Sequence, residues 1–183
     1  AYHREASRLE SLKNITERYD GYGNSIKRVM EVRDRVRGIH GVVADLIDVP
    51  KEYEIAIETA LGGSIQNIVT DSEQTAKVLI EHLKKNRFGR ATFLPLSAIS
   101  AGNGFNTPGA LKEPGAIGIA ADLVHVQPEY QTLARYLLGR VLVVDHIDNA
   151  IAIARNALYG SISRAATTKS RQRAPSSRTL RRM

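Results

Sequence analysis

The run KKNRFGR at residues 84–90 carries Lys84, Lys85, Arg87 and Arg90 with no acid among its seven residues. Cations gathered so closely suit contact with phosphate oxygens, and the ring of Phe88 among them has a flat face on which a base can stack. The same run has a plainer reading. Lys and Arg in the last turn of a helix complement its dipole, worth about 0.3–1 kcal/mol each, and Phe is a residue that cores bury. Lys84, Lys85, Arg87 and Arg90 are the candidate DNA-binding residues. The contact expected is with backbone phosphates, because no groove-reading helix is visible.

Other residues that could do chemistry are less well placed. Asp45 and Asp122 recur in similar stretches, ADLIDVPKEY at 44–53 and ADLVHVQPEY at 121–130. Paired carboxylates can share acid–base work. Each, however, follows an Ala in what reads as mid-strand, where a common structural hydrogen bond accounts for the repetition. His3, His40, His82, His125 and His146 form no i, i+4 helical pair, and none is flanked by the carboxylates that a metal site would want, so no metal site is expected. The segment GNGFNTPG contains G-x-G but opens no helix and lacks a following Lys-Ser or Lys-Thr. No serine sits in a G-x-S-x-G setting. There are no cysteines, which excludes disulfides, thiolate metal sites and a Cys nucleophile. The residues point to no catalytic group and no cofactor; the chain reads as a non-enzyme.

The elements that would hold the basic run follow from periodicity. Residues 1–22 read as a polar helix with Leu9, Leu12, Thr16 and Tyr19 at coiled-coil spacing, ended by Gly21 and Gly23. Asn24 or Ser25 could cap a short helix to about Arg35 that turns Ile26, Val29 and Met30 inward. GVVADLIDV is a strand candidate. Pro50 then opens a helix with Tyr53, Ile57, Ala60 and Leu61 on its apolar face, stopped at Gly62-Gly63. SIQNIVTD is a second strand. Asp71 or Ser72 caps a long helix with Ala76, Leu79, Ile80 and Leu83 on one side, and the basic run closes it. ATFLPL follows as a third strand. Alternating strands and helices predict an α/β (mixed α+β) fold with a helix-covered sheet.

The order then repeats. Gly118, Ala121, Asp122, Leu123, Val126, Glu129, Tyr130, Leu138 and Gly139 match residues 77 positions earlier, from Gly41 to Gly62. After a three-residue deletion, VLVVD echoes QNIVTD at a shift of 74, and Ala150, Ile153 and Ala154 echo Ala76, Leu79 and Ile80. Matches that fall together on strand, helix and glycine stop indicate an internal duplication. His125 stands where the first copy has Asp48, a solvent-facing strand position that tolerates either. ATFLPL moved by 74 should have a partner near 165–170, but the chain there reads AATTKS. The expected layout is a coiled-coil end at 1–22, one lobe at 23–96, a Gly/Ser/Asn/Pro-rich linker loop at 97–116, a second lobe at 117–160 without its third strand, and a basic low-complexity tail at 161–183.

The net charge of +7 lies in that tail. Seven of the 26 Lys and Arg fall in 161–183 with no acid, and the remaining 19 balance 19 Asp and Glu. Global charge therefore says nothing about the body, where only local clusters count. No apolar run is long enough to cross a bilayer, and no signal-peptide pattern opens the chain. A cytoplasmic protein is the default expectation.

Residues 41–96 and 122–157, in this order and spacing, resemble the two halves of the hinge domain of bacterial structural-maintenance-of-chromosomes (SMC) proteins, and ERYDGYGNSIKRVME resembles the segment joining the incoming coiled coil to it. The resemblance covers about residues 9–158. It implies a toroidal homodimer of pseudo-symmetric lobes, set at the far end of a long coiled coil from ATP-hydrolysing heads that bind accessory subunits. It implies chromosome compaction and partition, a nucleoid-associated location, and DNA contact near the coiled-coil junction, where Lys84 and Lys85 match. The departure is the C-terminus. GSISRAATTKSRQRAPSSRTLRRM replaces the family's closing strand and glycine-rich run, which help to build the dimer interface. A reading of another class is a small-molecule-binding α/β regulatory domain using the 97–116 loop.

Overall fold

The computed structural model describes residues 23–157. The expected coiled-coil end at 1–22, the tail at 161–183 and the strand sought near 165–170 lie outside the described residues. In chain order the elements are α1 (Asn24–Met30), β1 (Ile39–Val42), the single turn α2 (Val43–Leu46), α3 (Glu54–Leu61), β2 (Ile68–Thr70), α4 (Glu73–Asn86), β3 (Phe93–Pro95), β4 (Ala116–Ile119), α5 (Gln131–Leu138), β5 (Leu142–Val144) and α6 (residues 147–157). Short 3-10 turns at Lys51–Tyr53 and Pro128–Tyr130 lead into α3 and α5. Another, Ala120–Asp122, follows β4. The mixed α/β class is as expected.

The described chain forms two compact units, one of residues 23–105 with 119–141 and one of 106–118 with 142–157. In the first, the sheet order is β1-β2-β3, with β1 antiparallel to β2 and β2 parallel to β3. Parallel neighbours need a long crossover, and α4 supplies it. Its apolar positions Ala76, Leu79 and Leu83, spaced three and four apart, are buried. They meet Ile26, Val29 and Met30 of α1 and Ile39, Val42 and Ile68 of the sheet. Val29, Val42, Ile68 and Leu79 are fully buried, and each such side chain contributes about 1.5–3 kcal/mol. In the second unit β4 pairs with β5, and Ala110, Val143 and Ile153 are buried.

Several expectations need correction. GVVADLIDV is strand only to Val42; the chain then makes the helical turn α2. Val43 and Ile47 are both buried and one turn apart, with the Ile47 N–H donating to the Val43 carbonyl at 3.2 Å, so the i, i+4 pairing of apolar residues outweighs β-branched propensity. α1 stops at Met30 and not at Arg35, and its cap residue is Gly23 rather than Asn24 or Ser25. Ile80, expected inward, is 38% exposed because the inward stripe of α4 is narrower than the sequence suggested. Residues 62–66 coil into a 3-10 turn, which leaves β2 only three residues.

Element bounds recur at the sequence offsets. Moved by 77, β1 falls on β4, Lys51–Tyr53 on Pro128–Tyr130 and α3 on α5; moved by 74, β2 falls on β5 and the first residue of α4 on that of α6. The bracketing hydrogen bonds correspond as well. Val43 N–H to Asn67 carbonyl (3.0 Å) and Asp71 N–H to Gly38 carbonyl (2.9 Å) answer to Ala120 to Val141 (2.9 Å) and Asp145 to Gly115 (3.0 Å). Within the first unit Asp48 and His125, equivalent positions, pair with each other in an isolated antiparallel bridge, each N–H donating to the other's carbonyl at 2.8 Å.

Candidate nucleic-acid interface

The basic run is built by the way α4 begins and ends. Of the two capping candidates Ser72 takes the role, its Oγ accepting the Thr75 N–H at 3.3 Å. Asp71 supports the same turn. The Thr75 hydroxyl donates to its carboxylate at 2.6 Å, and that bond, helped by those from Ser72 and by the electrostatic effect of the nearby His40, holds the carboxyl below the usual carboxylate range against desolvation. At the other end, Lys84 and Lys85 occupy the last turn and Arg87 is the left-handed cap at φ 56, ψ 38. Arg87 is the one non-glycine with positive φ among the described residues. The conformation costs roughly 1–2 kcal/mol. It brings the Arg87 and Phe88 N–H groups onto the Lys84 and Leu83 carbonyls at 3.2 and 3.0 Å, which satisfies two orphan acceptors of the helix end.

Lys84, Lys85, Arg87 and Arg90 are all exposed. Among the described residues none forms an ion pair, although Glu81 lies four residues before Lys85 on the same helix. Phe88 resolves differently from the stacking possibility. Its ring is half-buried against the core of the first unit, the Arg28 guanidinium lies 5.0 Å from its centroid, and His82 meets it edge-on at 5.7 Å. The ring supports the turn rather than standing open to a base.

Two residues fix this turn: Ser25, which the sequence offered only as a capping candidate, and Arg28, which it did not single out. Ser25, 8% exposed, donates its Oγ–H to the Arg90 carbonyl at 2.6 Å. Arg28 pairs with Glu31 at 3.0 Å while covering Phe88. The bonds to Arg90 and to Phe88 span some sixty residues of chain, and no local pattern signals them. A third long-range contact joins His40 Nδ1 to Tyr130 Oη at 2.9 Å, ring edge to ring face at 5.5 Å. Burial first, and then the neighbouring Glu129, push the Tyr130 phenol up to about 12.

The repeated aspartates lie not in mid-strand but in the turns that follow β1 and β4. Asp122 pairs with Arg135 at 3.6 Å, with both groups more than half exposed. Among the described residues no three His, Asp or Glu gather in a metal-binding group, and no helix is long and apolar enough to cross a membrane. In the second unit, loop residues Thr107, Gly109, Ala110 and Glu113 line a hollow of about 140 Å³ with residues of α6.

Residues 36–154 match the family model described as the SMC proteins flexible hinge domain. The chain is 43% identical over 155 residues to the chromosome partition protein Smc of Lactiplantibacillus plantarum and 38% identical over 151 residues to that of Bacillus subtilis. These alignments cover 84% and 81% of this chain but only 13% of each relative, so the chain spans about an eighth of their length. Among solved structures, an asymmetric dimer of the Geobacillus stearothermophilus SMC hinge domain superposes with a TM-score of 0.72 at 38% identity, covering 86% of this chain and 67% of that one. This chain therefore belongs to the SMC hinge-domain family.

Proposed function

We propose that the chain is the self-associating hinge of a chromosome partition SMC protein, joining two coiled-coil arms and touching DNA through Lys84, Lys85, Arg87 and Arg90. Self-association draws support from the Geobacillus hinge, solved as a dimer. It also draws support from the recurrence of element bounds at 77 and 74 residues, which suits an internal duplication whose halves pair with a second copy. On this reading residues 1–22 end an arm, 23–96 and 117–160 are the two lobes, 97–116 link them and 161–183 form a tail. The parent protein would hydrolyse ATP at its heads, engage accessory subunits there and work in the cytoplasm on the nucleoid. Light scattering should give a dimer at micromolar concentration. A monomer that stays monomeric when a family-like C-terminus is restored would sink the reading.

The observation that carries DNA contact is a set of four exposed cations at one helix end that form no ion pair among the described residues. Lys84→Glu with Lys85→Glu should weaken DNA binding about tenfold or more and lower the slope of log affinity against log salt by roughly 1 for each phosphate no longer neutralised. If all binding disappears with residues 161–183, the cluster does not touch DNA. The small-molecule alternative gains little, since a hollow of about 140 Å³ beside the loop is below the roughly 300–1,000 Å³ of usual ligand pockets.

A further inference from the structure

The turn that carries Arg87 and Arg90 is fastened to α1 at two points. Ser25 Oγ donates to the Arg90 carbonyl at 2.6 Å across 65 residues of sequence. The Arg28 guanidinium lies 5.0 Å from the Phe88 centroid, is steadied by Glu31 at 3.0 Å, and keeps its Nε buried with no hydrogen-bond partner among the described residues. A buried hydroxyl and a planar cation on a ring are specific interactions, since both lose their geometry if either side moves. Neither belongs to the apolar core, which already joins α1 to α4 through Ile26, Val29, Met30, Leu79 and Leu83. They act on the loop beyond α4, whose left-handed Arg87 and Gly89 (φ 96) would otherwise be free to adopt other conformations.

We infer that Ser25 and Arg28 are positioning residues for phosphate binding: α1 clamps the 87–90 turn so that Arg87 and Arg90 are presented together with Lys84 and Lys85. The inference rests on the DNA reading above. Because α1 follows directly on the N-terminal segment, any change in its seating reaches the basic turn through these two side chains, so that DNA occupancy and the seating of α1 are coupled.

The test uses the full chain and short fluorescein-labelled DNA, single strand and matching duplex, titrated by anisotropy over a range of salt. Ser25→Ala and Arg28→Lys remove a clamp without removing a positive charge. Each should weaken binding about fivefold, the equivalent of one hydrogen bond, with the salt slope kept. Lys84→Glu with Lys85→Glu should instead lower the slope. Hydrogen exchange gives a readout independent of DNA. The Arg87 and Phe88 amides should exchange faster in both clamp variants while Leu79 and Leu83 keep their protection, which a general fall in stability would not allow. If the double lysine variant binds weakly but both clamp variants bind as wild type, the inference is overturned and the DNA reading stands. If the double lysine variant binds as wild type, the DNA reading fails and the inference with it.

Discussion

Two segments of the chain, offset by 77 and 74 residues, repeat the same strand and helix bounds and differ in the side chains they carry. Gly38 and Gly115 are equivalent, with φ 92 and 82, and in each a methyl group would collide with the side chain of an equivalent aspartate, Asp71 or Asp145. Each aspartate accepts a hydrogen bond from the same helical position, Thr75 in one repeat and Asn149 in the other. Where the backbone demands something, both copies supply it. Side chains elsewhere have diverged. Residues Ala56 and Ile57 of α3 correspond to Leu133 and Ala134 of α5, so large and small have changed places between two helices that pack on one another. Tyr130 is buried on His40, while Tyr53 at the matching position is only half-buried. Most telling for function, the basic run 84–90 moved by 74 becomes LYGSISR, with one cation. The interface candidate belongs to the first repeat alone.

The sharpest way to break the comparison is through the core. Leu79→Ala should cost about 2–5 kcal/mol in urea melts, whereas the equivalent Ile153→Ala, at a site 7% exposed, should cost distinctly less. Equal costs would mean that the two copies are equally dependent on this helix. Next, Gly38→Ala and Gly115→Ala should each destabilise by about 1–3 kcal/mol, because both force a side chain into left-handed backbone and against a carboxylate. A neutral result at one of them would show that the shared geometry is not required in that copy. Smallest is the tyrosine pair. Tyr130→Phe should cost about 1 kcal/mol by removing the bond to His40, while Tyr53→Phe should be nearly silent. Since burial keeps the Tyr130 phenol protonated to about pH 12, its contribution is complete below the unfolded value near 10 and fades as pH rises toward 12. Thermal melts across that range should flatten in the phenylalanine variant.

Much of this was legible in one dimension. The long helix, a cap at Asp71 or Ser72 and its basic end follow from spacing and from capping chemistry that acts within a turn or two; the structure chose Ser72. The repeat follows from a constant offset. The strand predicted over GVVADLIDV failed after Val42, because whether Val43 and Ile47 both reach the core depends on what packs above them. The four cations of the candidate site were evident from their proximity in sequence. The fate of Phe88 among them was not, since its ring could serve a core or a ligand until Arg28 and His82 were seen to cover it.

The family, the doubled order of elements and the position of the basic run could be read from the chain alone, because each is carried by short stretches of consecutive residues. Three-dimensional packing was needed to bring Ser25 of α1 onto the Arg90 carbonyl, to pair Asp48 with His125 and to close Tyr130 on His40. Those pairings join segments 65–90 residues apart. Their existence depends on the packing of everything between, which no local propensity encodes.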